Sequence, residues 1–267
     1  MKAYLAIFRI RFIYSLQYRV AAFAGMMTQF AWAFIEILAF TAFYRVNPSG
    51  FPMEFSQTIT YIWLNEAFLV LFSGLLTASE ITDAIESGSI AYELIRPMDL
   101  YGRWVSQFIA SRLAGVGLRC VPILIVAFIV PEPYRLSLPS NIESFILFLL
   151  TTVLAVGVIA TLSMLIYVTV FYTLSFRGTR LVFGNIIIFL SGALIPLPFF
   201  PESIRAVIEL LPFAAMHNIP FRIYSGNIVG AGALRGILLQ IFWLIALWIT
   251  GRLVMNHALK RVVVQGG

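Results

Sequence analysis

The chain has 267 residues, of which 61% are hydrophobic and only 11% are charged, and its mean hydropathy is +0.94. A soluble domain of this length cannot hide so much apolar surface from water. The composition therefore excludes an ordinary soluble enzyme or binding domain and predicts an all-α protein of the lipid bilayer. The formal charge of +6 suits contact with anionic headgroups. No aromatic and basic stacking surface can form on a chain this buried, so no nucleic-acid partner is expected.

The first segment, 1–19, mixes basic residues with apolar residues that recur at helical spacing. The basic residues are Lys2, Arg9 and Arg11, and the apolar ones are Tyr4, Leu5, Phe8, Phe12 and Leu16. Such a pattern predicts a helix lying in the membrane interface with its basic face toward anionic headgroups. The segment has no compact apolar core and no small-residue cleavage site, so we expect no cleaved signal peptide.

A helix that crosses a bilayer needs about 20 mainly apolar residues. The sequence contains six such stretches: 20–44, 58–77, 106–130, 144–172, 180–198 and 232–256. They leave no room for a separate soluble domain, so we expect 1–267 to form a single transmembrane unit. Cys120 falls inside the third stretch and is expected to be a small buried side chain, since one cysteine cannot form a disulfide within the chain.

The distribution of basic residues predicts the orientation, because Lys and Arg accumulate on the cytoplasmic side of membrane proteins. With a cytoplasmic N-terminus, five of the 18 basic residues fall on the outer side and the other 13 on the inner side. The outer ones are Arg45, Arg135, Arg205, Arg222 and Arg235. We therefore expect a multi-pass protein of the plasma or inner membrane with both termini in the cytoplasm.

Several kinds of chemistry are absent from the sequence. The two lysines, Lys2 and Lys260, do not follow glycine, so the chain has no phosphate-binding Gly-Lys-Ser/Thr loop. His217, His257 and Cys120 lack the spacing of zinc ligands. Neither a Gly-x-Ser-x-Gly motif nor a serine–histidine pattern is found. We expect no metal, no cofactor and no enzymatic activity on this chain.

The segment between the second and third stretches is amphipathic and acidic. Its apolar positions, spaced three or four residues apart, form one helical stripe that could bend at 87–88 and that ends at Pro97. The stripe residues are Ile81, Ile85, Gly88, Tyr92 and Ile95, and the acids are Glu80, Asp83, Glu86, Glu93 and Asp99. Anionic lipid repels such a segment, so it either seats against a basic or apolar protein cleft or remains a solvated loop.

Two carboxylates fall within predicted spans. Glu36 lies midway along the first and Glu66 lies about a third of the way into the second. Ionisable groups at this depth cost several kcal/mol unless they face protein or water. They either contact the substrate along a translocation path or form hydrogen bonds between helices, with Asn65, Gln29 or Tyr61 as the partners.

Two motifs resemble those of type-two ATP-binding-cassette exporter permeases, in the branch of small permeases whose ATPase is a separate chain. Glu86-Ser87-Gly88-Ser89 followed by Leu94-Ile95-Arg96-Pro97 is similar to the segment after that family's second span, although many members carry a basic residue at the position of Ser87. The other match is to the family's outer segment between the fifth and sixth spans, carried by Ser191-Gly192, Ile195-Pro196, Phe200-Pro201, Leu211-Pro212, Arg222 and Gly226.

The resemblance implies an exporter built from two six-span halves, the same or related chains, above two ATPase subunits that hold ATP and Mg²⁺. It implies that 79–99 is a coupling helix and that 199–228 is a re-entrant pair of outer helices. The residues it assigns to the ATPase contact are Glu80, Asp83, Glu86, Gly88, Tyr92, Glu93, Arg96 and Pro97. The stripe is then expected to bury in the ATPase cleft or against the bases of the spans, while Glu86 and Glu93 face basic groups of the ATPase.

Two other classes compete with this interpretation. A secondary transporter usually shows internal repeats, and no repeat at half-length is found here. An intramembrane enzyme needs a cluster of acid, base or metal-binding groups, and Glu36, Glu66 and His217 do not make one in the sequence.

Overall fold

A computed structural model describes residues 2–47, 50–73, 80–173 and 175–260 of the chain. Throughout these ranges the regular secondary structure is helical. The α-helices in chain order are α1 Lys2–Ser15, α2 Arg19–Val46, α3 Phe55–Phe72, α4 Glu80–Glu86, α5 Ala91–Leu94, α6 Leu100–Ile129, α7 Ile142–Thr173, α8 Phe176–Leu190, α9 Glu202–Ile208, α10 Asn218–Tyr224 and α11 Ala231–Leu259. A short 3-10 helix, Leu197–Phe199, precedes α9.

Four of the described helices, α2, α6, α7 and α11, are long and apolar enough to cross a membrane. They correspond to the first, third, fourth and sixth predicted spans, which confirms an all-α membrane protein. Helix α6 starts six residues before the predicted span because Asp99 caps it, accepting a hydrogen bond from Gly102 N at 2.8 Å. Its 30 residues extend about 45 Å, so one end projects beyond an apolar layer of about 30 Å.

The second predicted span, 58–77, corresponds to α3, which starts three residues earlier at a capping box formed by Glu54 and Gln57. Helix α3 is described for 18 residues, and positions 74–77 of the prediction lie outside the described residues. Most of its residues are buried, including the polar side chains Thr58, Asn65 and Glu66. This helix is therefore surrounded by protein, which explains why its sequence tolerates so many polar groups.

The fifth predicted span, 180–198, is wrong at its C-terminal end. Helix α8 starts at Phe176 and stops at Leu190, because Gly192 adopts φ +83°, which a side chain would strain. The carbonyls released there are bound by α3: Tyr61 Oη donates to Gly192 O and Asn65 Nδ2 donates to Ala193 O, both at 2.8 Å. Fifteen residues reach only about 22 Å, so α8 alone is shorter than the apolar layer of a bilayer.

Helix α7 is the centre of the bundle. Half of its most apolar window is buried, compared with 17% to 22% in the other three long helices. It packs against α4, α6, α8, α10 and α11. Many of its fully buried side chains are small or branched and thus allow close packing: Ala155, Val158, Ile159, Ala160, Val168 and Val170.

Helix α1 lies along the first half of α6. Tyr4 approaches Gly102 so closely that a β-carbon there would lie 3.3 Å from the tyrosine ring. Each α1 side chain keeps some exposure, and Leu5, Ile10 and Ile13 are half-exposed or more. The helix therefore presents apolar side chains outward while it packs along α6.

Helices α9 and α10 form the predicted pair of short helices, and the turn between them reaches into the bundle. Gln240 Nε2 of α11 donates to Ala215 O in this turn and to Thr151 O of α7, both at 2.9 Å. Gln240 and Thr151 each lie nine residues into their helices, so the turn sits more than 10 Å below the ends of α7 and α11. Helix α10 is buried along nearly its full length.

We predict that Gln240→Met lowers the free energy of unfolding by about 1 to 2 kcal/mol, because it removes two hydrogen bonds at nearly constant volume. Reversible unfolding of the purified chain in mixed micelles measures this change. Leu238→Met, on the exposed face of the same helix, is the control and should change stability little. Equal stability of the two variants would contradict the role of Gln240.

Candidate functional site

The candidate site is the 80–97 segment, which the structure describes in full; residue 79 of the predicted coupling helix lies outside the described residues. The segment consists of α4 and α5, with a sharp turn at Gly88, where φ is +74°. Gly88 N donates to Ile85 O at 3.2 Å, and Ile90 N donates to Ala84 O at 2.9 Å. The bend predicted at 87–88 is therefore a hydrogen-bonded turn that ends α4.

The turn divides the apolar stripe into two parts with different surroundings. Ile81 and Ile85 are buried where α4 packs on α7, and Ile90 is buried after the turn. Tyr92 and Ile95 are instead 74% and 80% exposed. The stripe is interrupted at the position where a bend was predicted, because the left-handed conformation at Gly88 ends α4 and α5 begins only at Ala91.

Three of the four carboxylates of the segment bind groups of this chain. Glu80 accepts two hydrogen bonds from Arg11 of α1, each at 2.8 Å. Glu86 accepts a hydrogen bond from Phe176 N at the start of α8. That Glu86 and Glu93 face basic groups of an ATPase stays a prediction, and within this chain Glu86 already has a backbone partner.

The third carboxylate, Glu93, neutralises a buried arginine. Glu93 Oε2 forms an ion pair with Arg103 of α6 and accepts a hydrogen bond from Trp104 Nε1 at 2.9 Å. The Arg103 side chain is only 1% exposed, and Trp104 is fully buried. A guanidinium at such a position needs a negative partner, because burying an unpaired charge costs several kcal/mol.

Together, these contacts attach the segment to α1, α8 and α6 at three points. Its outward surface consists of residues that are exposed: Ser87, Gly88, Ser89, Tyr92, Ile95, Arg96 and Pro97. A rigid tyrosine and an isoleucine on a braced backbone form a small apolar surface with the composition typical of interface anchors. Asp83, also predicted, is exposed on α4.

The two carboxylates within the helices, Glu36 and Glu66, lie on α2 and α3, which pack against each other. Glu66 is 4% exposed, and its Oε2 has no hydrogen-bond partner among the described residues. Glu36 remains partly accessible. Of the two carboxylates, Glu66 is therefore buried and Glu36 is more accessible.

The partners that the sequence suggested for these carboxylates bond elsewhere. Gln29 Nε2 donates to the backbone oxygen of Glu66 at 2.6 Å, and its own Oε1 has no partner in the described ranges. Tyr61 and Asn65 bind the carbonyls after α8. The side-chain amide of Gln29, the hydroxyl of Tyr61 and the amide nitrogen of Asn65 thus donate to backbone oxygens and not to either carboxylate.

Sequence reasoning missed the residues that hold the 80–97 segment in place, Arg11, Arg103 and Trp104. The role of Arg103 could have been suspected from the sequence, because an arginine in the first turn of a long apolar helix requires a counter-charge if its side chain points inward. The choice of Glu93 among five nearby acids depends on the turn at Gly88, which no spacing rule predicts.

Residues 30–266 of the chain match the model of a family described as ABC-2 family transporter protein. The match covers most of the chain, including the 80–97 segment, both carboxylates within the helices and the α9–α10 pair. No curated protein matches the chain by sequence.

We predict that Glu93→Gln destabilises the chain by about 3 kcal/mol, because it leaves the Arg103 guanidinium buried without a counter-charge. Adding Arg103→Met should restore most of the loss, since the buried charge is then removed as well. Thermal unfolding of the purified variants in lipid-containing micelles measures both changes.

The control is Glu132→Gln, which breaks an ion pair with Arg135 in which both side chains are more than half exposed. Exposed pairs contribute about 1 kcal/mol or less. If the double variant were no more stable than Glu93→Gln alone, the buried charge would not explain the cost.

Proposed function

Because the chain belongs to the ABC-2 family of transporters, we propose that it is the membrane-spanning subunit of an exporter whose ATP hydrolysis takes place on a separate subunit. The family supports a permease that works with an ATPase. The lack of a phosphate-binding loop in these 267 residues supports placing ATP and Mg²⁺ on another chain. In this proposal the chain itself carries no cofactor and is not an enzyme.

The observation that carries the proposal is the braced and exposed surface of the 80–97 segment. Tyr92 and Ile95 point away from the bundle although they are large and apolar. Buried carboxylate contacts fix the backbone that carries them. Exposure of two large apolar side chains to water is unfavourable, whereas a cleft on an ATPase would bury both of them. We assign Tyr92 as the anchor of this contact, with Ile95, Gly88 and Pro97 beside it.

The carboxylates then have a mechanical role instead of direct contact with the ATPase. Glu80, Glu86 and Glu93 connect the segment to α1, α8 and α6. A displacement of the segment when ATP binds would therefore pull on three helices at once. Energetically, this coupling is a difference in the affinity of the docked segment for two states of the ATPase.

We further propose six crossings with both termini in the cytoplasm. Helices α2, α6, α7 and α11 supply four, and α3 and α8 with their flanking residues supply the other two. The N-terminal helix α1 lies at the cytoplasmic interface, as its exposed apolar side chains and basic residues suggest. The α9–α10 pair enters the outer leaflet, because its turn lies below the ends of α7 and α11.

The path of the substrate is proposed to run past Glu36 and Glu66, in an assembly of two permease halves and two ATPases. Glu36 is accessible from the outside of the single chain, while Glu66 lies behind it. The outward side of α2 exposes Trp32, Phe34 and Ile35, an apolar surface that lipid or a second permease half can cover.

We predict that the double variant Tyr92→Ala and Ile95→Ala retains at most about one tenth of the copurifying ATPase, because anchor residues contribute about 2 kcal/mol or more. Leu138→Ala with Ile142→Ala is the matched control, since these residues are equally exposed near the opposite end of α7. Copurification of a tagged chain with the ATPase measures the effect. An unchanged yield in the first variant, with normal membrane insertion, would refute the proposed contact.

We predict that Glu36→Gln and Glu66→Gln lower the export activity about tenfold, since each removes from the path a carboxyl group that can exchange a proton. Both variants should insert into the membrane and copurify with the ATPase as the natural chain does. Restoration of function in a strain lacking the gene measures export, and Glu143→Gln, exposed at the start of α7, is the control. Full restoration by both variants would mean that these carboxylates are structural.

A further inference from the structure

A cavity of about 340 Å³ opens between α1, α6 and the end of the 80–97 segment. Its lining combines cationic, amide and phenol groups with two isoleucines: Ile7, Ile10, Arg11, Tyr14, Arg96 and Gln107. A second cavity of about 40 Å³ lies behind it and shares Arg11 and Gln107. The volume of the first is large enough for a headgroup with one phosphate and several water molecules.

The polar side chains that line this cavity are mainly hydrogen-bond donors, and few of their N–H groups have an acceptor in the protein. Arg11 gives both hydrogen bonds to Glu80 from the same nitrogen, Nη1, which leaves Nε and Nη2 of the guanidinium for another acceptor. Among the described residues, neither the Arg96 guanidinium nor the Gln107 side-chain amide has a hydrogen-bond or ion-pair partner. Several donors around one space fit an anion with several oxygen atoms, such as a phosphate.

The acidic groups near the cavity do not cancel its positive charge. Glu80 neutralises one of the two arginines. Glu93 is taken by Arg103, and Asp99 caps α6 and pairs with Arg252. The cavity therefore keeps a net positive charge that favours an anion.

The apolar part of the lining indicates where the anion comes from. Ile10 is 69% exposed beside the cavity, and Leu5 and Ile13 of α1 are also exposed. A row of such side chains on a helix packed along α6 suits hydrocarbon and not water. An anion that binds here would have its charge at Arg11 and Arg96 and its apolar portion along Ile7 and Ile10, which is the arrangement of a phospholipid.

We propose that this cavity binds the headgroup of an acidic glycerophospholipid. The phosphate accepts hydrogen bonds from Arg11, Arg96 and Gln107, and the acyl chains lie along Ile7 and Ile10 of α1. A lipid held in this way connects α1 to the last residues of the 80–97 segment and stabilises the position of that segment. The site needs only the membrane and the described residues, so it stands independently of any ATPase partner.

The experiment titrates the purified full chain in detergent with dioctanoyl-phosphatidylglycerol and measures bound lipid by native mass spectrometry. We expect saturable binding that is at least about tenfold tighter than that of dioctanoyl-phosphatidylcholine, whose choline cation is repelled. Arg96→Gln should weaken binding of phosphatidylglycerol about tenfold, as expected for the loss of a charge-assisted hydrogen bond. Arg9→Gln, exposed on the same helix and outside the cavity, should leave binding unchanged.

Arg11→Gln should also weaken binding, but it removes the contact with Glu80 as well, so Arg96→Gln is the decisive variant. Equal binding of the two lipids, or equal affinity of Arg96→Gln and Arg9→Gln, would overturn the proposal. A further arm adds inorganic phosphate. If free phosphate displaced the lipid with comparable affinity, the cavity would bind a soluble anion and the assignment to lipid would be wrong.

Discussion

The need to neutralise the buried Arg103 guanidinium shapes the functional end of this molecule. The ion pair with Glu93 holds α5 against α6, and the hydrogen bond from Trp104 fixes the same carboxylate from a second direction. Neighbouring positions on a helical turn point about 100° apart, so a residue beside an inward-facing Glu93 turns outward. Glu93 turns toward Arg103 and is only partly exposed, whereas its neighbour Tyr92 is 74% exposed. The outward surface of the 80–97 segment is a consequence of a buried charge.

A related constraint acts at the opposite end of the bundle, where helices end inside an apolar environment and backbone carbonyls lose their helical hydrogen bonds. Such groups have no water to bind and must find donors from the protein. Tyr61 and Asn65 supply them after α8, and Gln240 supplies one in the turn between α9 and α10. Tyr61 and Asn65 come from α3, and Gln240 comes from α11. The polar residues within the helices are thus what allows the chain to break its helices at depth.

Helix α7 connects the two ends. It packs against α4 of the 80–97 segment at one end and against α10 at the other, and it is continuous over 32 residues. A rigid element with packed contacts at both ends is a physical route for coupling between them, provided the bundle has two arrangements. The three carboxylate contacts of the 80–97 segment and the hydrogen bonds of Gln240 are the places where such arrangements would differ.

The sequence by itself determined that this protein lies in a lipid bilayer and that it is all-helical. The lengths of its apolar stretches and the scarcity of charge are local properties of a chain, so they can be recognised without the fold. Apolar stretches predicted four spans, and prolines and glycines predicted the short outer helices and the interruption at Gly88. The sequence did not predict that α8 ends at Leu190, nor that the two parts of the apolar stripe have different surroundings. They depend on a left-handed glycine, on donors from α3 and on which of several acids reaches Arg103. Only the tertiary structure decided these, because a buried charge or carbonyl chooses its partner by position in space, and residues distant in sequence become neighbours only when the helices pack.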